Sequence, residues 1–84
     1  MTEQEGTTAE EVLLYLIAQL VEHPDKVELE IEESDTKLSL MAKVSSEDIG
    51  RVIGKRGRVA NSIRTLVRAA AVKDGVDVEV DFSD

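Results

Sequence analysis

The stretch RVIGKRGRVANSIRTLVRAAAVK, residues 51–73, decides how this chain is read. It carries seven Lys or Arg and no Asp or Glu, in a protein whose formal net charge is −8. Residues 49–73 hold a charge of +7, and the rest of the chain holds −15. Apolar residues recur at helical spacing on both sides of Gly54-Lys55-Arg56-Gly57, so two helices meet at a glycine-bounded turn. Ile49, Val52 and Ile53 form the apolar face of the first, shorter helix. Ala60, Ile63, Leu66, Val67 and Ala70 are expected to face inward from the second. Lys73 in its last turn and Gly75 beyond it are stop signals.

Upstream, Ser45 or Ser46 caps the short helix, with Glu47 and Asp48 in its first turn, where the helix dipole favours anions. Before it, KVELEIEE and KLSLMAKV alternate apolar and polar residues around Ser34-Asp35-Thr36. Val27, Leu29 and Ile31 share one face of the first run, and Leu38, Leu40, Ala42 and Val44 one face of the second. The pair reads as an antiparallel hairpin with one half-buried face. At the C-terminus VDVEVDF gives a third strand, with Val76, Val78, Val80 and Phe82 opposite Asp77, Glu79 and Asp81. At the N-terminus Thr8 and Glu11 have capping-box spacing, and Val12, Leu13, Leu16, Ile17 and Leu20 form a helical stripe that His23-Pro24 ends. Leu14, Tyr15 and Val21 fall off that stripe and are candidates for a dimer contact.

The element order is therefore αββααβ. The fold class is α/β (α+β): a two-layer sandwich with three helices on one face of a three-stranded sheet. Residues 1–8 read as a flexible lead-in and 9–84 as a single domain. The solvent face of the sheet carries Glu28, Glu30, Glu32, Asp77, Glu79 and Asp81, which repels phosphate. Lys37 and Lys43 are expected to neutralise it partly through cross-strand pairs.

Composition narrows the chemistry. With 84 residues, such a domain buries only about 60% of its unfolded surface. It has no Cys and one His, so thiolate zinc sites and His-rich metal sites are not expected, nor is a cofactor. His23, before Pro24, reads as a helix-end or exposed residue rather than a ligand. Lys55 is followed by Arg56, so the glycine loop is not a Walker A sequence. No nucleophile–base pattern marks an enzyme, and no catalytic residue is assigned. No signal peptide or run of about 20 apolar residues is visible, so a cytoplasmic protein without membrane contact is expected.

What remains is the loop. Glycine tolerates positive φ and lets another backbone approach closely. Gly57 opens a helix whose free N–H groups and dipole attract anions. Lys55, Arg56 and Arg58 bring positive charge to the same point, and Arg51 belongs to the same run. Asn61, Arg64 and Arg68 follow at helical spacing on one face. The combination suits a sugar-phosphate backbone lying across the turn. Tyr15 and Phe82 are too few to build the aromatic stacking platforms of other nucleic-acid folds.

VIGKRGRVANSI resembles the signature of the KH domain, an Ile-Gly-x-x-Gly loop between two helices, and the order αββααβ is similar to its type II, bacterial arrangement. HPDKVELE, SSEDIGRVIGKRGR and IRTLVRAAA resemble the small stand-alone bacterial KH-domain proteins of the KhpA family, over nearly the whole chain after residue 8. The resemblance implies a mixed sheet and a groove for about four nucleotides of single-stranded RNA. Gly54, Lys55, Arg56 and Gly57 would clamp the backbone, with Ile49, Val52, Ile53 and Ala60 near the floor. Ala60 stands where many KH domains have a larger aliphatic. The resemblance also implies a non-catalytic RNA chaperone or post-transcriptional regulator that forms homodimers and pairs with a larger KhpB/Jag-type KH protein. Two alternatives stay open at this point. One is a helix-turn-helix DNA-binding protein. The other is a protein-interaction subunit whose basic patch meets an acidic partner.

Overall fold

A computed structural model describes residues 8–84. The expected lead-in therefore lies outside the described residues except for Thr8, which opens α1 (Thr8–Ala18). The remaining elements are β1 (Glu28–Glu33), β2 (Lys37–Lys43), α2 (Ile49–Ile53), α3 (Arg58–Val72) and β3 (Asp77–Ser83), with 3₁₀ turns at Pro24–Lys26 and Lys55–Gly57. The sheet order is β1-β2-β3. β1 runs antiparallel to β2, and β3 runs parallel to it, as a crossover through two helices requires.

Register follows from hydrophobic alternation. Leu29 faces Ala42 and Ile31 faces Leu40, while Leu38, Leu40 and Ala42 face Val78, Val80 and Phe82. These rows put one apolar face of the sheet under the helices. Leu13 and Ile17 of α1, Val52 of α2, and Ala60, Ile63, Val67 and Ala71 of α3 are buried on the helical side. On the polar face Lys37 Nζ lies 2.7 Å from Glu79 and Lys43 Nζ 3.2 Å from Glu30, the expected cross-strand neutralisation. At the hairpin, Ser34 N–H donates to Lys37 O at 2.8 Å and Lys37 N–H to Ser34 Oγ at 3.2 Å.

Four details differ from the sequence expectation. The N-cap of α2 is Asp48, with no side-chain cap bond, and not Ser45 or Ser46. Leu66 is 51% exposed, and Ala71 takes the inward place instead. The buried set 60, 63, 67, 71 winds steadily around the helix, and residue 66 is about 100° away from 67. α1 closes at Ala18, ahead of His23-Pro24, and its end is a turn in which Leu20 and Val21 both donate to Ile17 O. Val21 accordingly packs against the core, whereas Leu14 and Tyr15 stay exposed. β1 is the least covered strand: Ile31 is 44% exposed although it shares a face with buried Leu40.

Candidate nucleic-acid interface

The loop that joins α2 to α3 owes its shape to three residues with positive φ. Gly54 ends α2 at φ 77°, ψ 175°, a region essentially closed to side-chain-bearing residues. A Cβ there would collide with the Val59 side chain and lie 2.9 Å from the Val59 backbone nitrogen. Glycine at 54 is thus required twice, by backbone angle and by space. Gly57 sits at φ 73°, ψ 14°, with nothing within 4 Å of where a Cβ would be, so only the angle favours glycine. Between them Arg56 adopts φ 59°, ψ 25°, a left-handed conformation that costs a non-glycine residue about 1 kcal/mol.

The turn is closed by Gly54 N–H to Gly50 O at 2.9 Å and Gly57 N–H to Gly54 O at 3.2 Å. The N–H groups of Lys55 and Arg56 have no partner among the described residues. The side chains of Lys55, Arg56 and Arg58 are exposed and form no ion pair among the described residues. Two free amides and three unopposed cations therefore occupy four consecutive positions. Ile53 is half-buried behind the loop, and Val52 and Ala60 are buried beneath it.

The other basic residues named from the sequence are engaged. Arg51 Nη2 lies 3.0 Å from Glu22, and its Nε lies 3.7 Å from Asp48. Arg64 lies along β3. Its Nε donates to Val80 O at 2.8 Å, its Nη1 donates to Asn61 Oδ1 at 2.9 Å, and its Nη2 is 3.6 Å from Asp81. Its guanidinium carbon stands 5.5 Å from the Phe82 ring centroid. Arg68 Nε donates to Val78 O at 3.3 Å. The helical spacing that groups Asn61, Arg64 and Arg68 holds, but the two arginines also satisfy carbonyls on the open edge of β3.

Asp48 was legible only as a helix-start residue. Its side chain is buried, and its two oxygens accept the N–H groups of Glu22 and His23 at 3.0 Å each. Burial by itself pushes its carboxyl up. The two backbone donors, with the nearby His23 and Arg51 charges, more than offset this and hold it below the usual carboxylate range. His23 Nε2 lies 2.7 Å from Glu47 Oε1 beside this clasp. Glu22 and His23 are thereby tied to the start of α2, the helix that carries Gly54. No signal in the sequence marks the clasp, because its donors are backbone groups about 25 residues away.

An αββααβ sandwich with a free, cationic Gly-x-x-Gly turn between α2 and α3 defines a KH domain of the type II arrangement. Comparison with known proteins is more specific. The family model described as KhpA/KhpB, KH domain matches residues 10–82, and the chain belongs to that family. An RNA-binding protein KhpA from Listeria monocytogenes is 46% identical over 73 residues, covering 87% of this chain and 96% of that one. The RNA-binding protein KhpA of Bacillus subtilis is 40% identical over 75 residues, covering 89% of this chain and 93% of its own. Among solved structures, Aquifex aeolicus Era bound to GDP and aluminium fluoride shares the fold at TM-score 0.62 and 20% identity, over 89% of this chain. This chain spans only 30% of that Era chain. A second Era structure, at TM-score 0.60, is a complex with MgGDPNP and nucleotides 1506–1542 of 16S ribosomal RNA.

Proposed function

We propose that this chain is a non-catalytic RNA-binding protein that holds a short single-stranded segment at Gly54–Gly57. The observation that carries the reading is the coincidence, on one exposed turn, of two amides and three cations that have no partner among the described residues. An anion gains from both, and a phosphodiester backbone presents such anions in series. The names of the KhpA relatives support the same reading. Lys55, Arg56, Gly54, Gly57 and Arg58 contact the backbone, Ile53 contributes to the apolar floor, and Asn61 and Arg64 lie beyond the turn toward β3. Arg51 contributes through the field of the patch.

The helix-turn-helix alternative is not favoured. α2 has five residues and α3 lies on a three-stranded sheet, so no helical core presents a recognition helix. The reading of a pure protein-interaction subunit is separated by experiment. Lys55→Asp with Arg56→Asp should abolish binding of a labelled single-stranded RNA while leaving the melting temperature within a few degrees. Unchanged RNA binding by that double variant would refute the proposal.

Such a protein acts as an RNA chaperone or post-transcriptional regulator in the cytoplasm. Among the described residues no helix is long and apolar enough to cross a membrane, and no group of His, Asp and Glu is arranged to hold a metal ion. Exposed Leu14, Tyr15, Leu66 and Val72 on the helical layer support homodimers and pairing with a larger KhpB/Jag-type KH protein. A single short groove binds weakly, and two grooves in one assembly raise the effective concentration of the second contact.

A further inference from the structure

The two edges of the sheet are treated differently. The open edge of β3 is closed by Arg64 and Arg68, whose Nε groups donate to Val80 O and Val78 O. The open edge of β1 has no such cover among the described residues. Ser34 N–H donates to Lys37 O, which fixes the alternation of the antiparallel ladder. Backbone groups of Glu28, Glu30 and Glu32 turn toward β2, and those of Leu29, Ile31 and Glu33 turn outward. A six-residue edge strand with free donors and acceptors is a template for another strand.

The two faces of β1 specify what that strand must carry. On the polar face stand Glu28, Glu30 and Glu32, of which only Glu30 has an ion-pair partner among the described residues, Lys43. On the helical face Ile31 is 44% exposed, and next to the start of β1 a pocket of about 230 Å³ is lined by Leu14, Ala18, Pro24 and Val27. We infer that the β1 edge accepts an extended segment of a partner protein in which Lys or Arg alternates with Val, Ile or Leu. The basic residues fall opposite the glutamates, as Lys43 already does opposite Glu28, and the apolar ones continue the row of Leu29 and Ile31. A second copy of this chain does not fit. Antiparallel β1–β1 pairing would set both rows of glutamates side by side, and like charges directly opposite are destabilising.

The test uses the full chain and a fluorescein-labelled peptide, KVKIKVK, with the same peptide N-methylated at alternate amides as control. The expected result is saturable binding. Backbone amide shifts and slowed exchange should appear at Leu29, Ile31 and Glu33. N-methylation on the pairing edge should weaken binding by about tenfold or more, since it removes ladder hydrogen bonds while keeping charge. Glu28→Lys with Glu32→Lys, neither of which is ion-paired among the described residues, should also weaken it about tenfold. Ile31→Pro should block binding, since it removes an outward N–H, a change that edge strands tolerate, together with one side chain of the apolar row. RNA affinity should not fall in any of these variants, so this surface and the RNA loop fail or stand separately. Equal binding of the N-methylated peptide, or shifts confined to Asp77, Glu79 and Asp81, would reduce the effect to general charge attraction and overturn the inference. No binding at millimolar peptide, or protection of β1 amides that rises with protein concentration alone, would overturn it as well.

Discussion

The loop cations differ from Arg64 in a way that salt dependence can measure. Lys55, Arg56 and Arg58 are exposed and unopposed among the described residues, whereas Arg64 is already bonded to Val80 O and Asn61 and faces Asp81. Three neutralised phosphates give a slope of log K against log salt of about −2, and a rise from about 50 to 200 mM salt should then weaken binding about 18-fold. Lys55→Ala with Arg56→Ala leaves one such contact, so the slope should fall to about −0.7 and the loss to about threefold. Arg64→Gln should leave the slope within about 0.3 of wild type. Its effect falls on the fold instead, because Val80 O and Asn61 lose a charged donor at a site where Arg64 is only 27% exposed. The loss of that donor costs about 1–3 kcal/mol, a fall of roughly 4–20 °C in melting temperature for a domain of this size. The assay is fluorescence anisotropy with a labelled single-stranded RNA at four salt concentrations, paired with thermal melts. An Arg64→Gln slope as flattened as that of the double variant, at unchanged stability, would refute the division of the basic residues argued above.

The two glycines should separate cleanly in melts. Gly54→Ala meets Val59 and a positive φ at extended ψ, a combination closed to alanine, and should cost about 2–3 kcal/mol or more, while Gly57→Ala meets open space and should cost about 1 kcal/mol. In the core, Val67→Ala should cost about 2 kcal/mol, but Leu66→Ser less than about 0.5 kcal/mol in the monomer, since Val67 is 0% and Leu66 51% exposed. Asp48→Asn keeps the shape but leaves one of the two N–H donors facing an amide, and should lower the melting temperature at pH 7. The folded carboxyl is held low, so the stability it confers is present above the ordinary carboxylate range, about pH 4, and is lost as pH falls through the lowered folded value. The gap between wild type and Asp48→Asn should therefore narrow below about pH 4, and a gap that widens on acidification would contradict the assigned cause.

Much of the architecture was legible because it rests on period. The alternation of Leu38, Leu40, Ala42 with Val78, Val80, Phe82 predicts both strands and their shared face, and the observed register aligns those residues pairwise. The turn at Gly54–Gly57 was legible because glycine spacing and the break in helical period coincide. Contacts between a side chain and a distant backbone were not legible. Asp48 looked like any acidic residue at a helix start, and Arg64 and Arg68 looked like free charge on a helix face. Their partners are amides and carbonyls, which every residue possesses and no sequence pattern marks. Leu66 was misplaced because it borders the buried stripe of α3 about 100° from Val67, and apolar character alone does not say where that stripe ends. Ile31 was misjudged because alternation shows that a strand has two faces, but not how far the neighbouring layer extends over them.

The separation of charge between the layers has a consequence for encounter rather than for the bound state. Glu28, Glu30, Glu32 and Glu79 stand on the sheet's outer surface, and the unopposed cations stand on the helical layer, which makes the molecule a strong electric dipole. A polyanion approaching from bulk water exerts a torque on that dipole before any atom touches, turning the glycine corner forward and the carboxylate wall away. Most tumbling orientations are thus filtered out in advance, and a protein with a net charge of −8 can meet its strand at a useful rate despite overall repulsion.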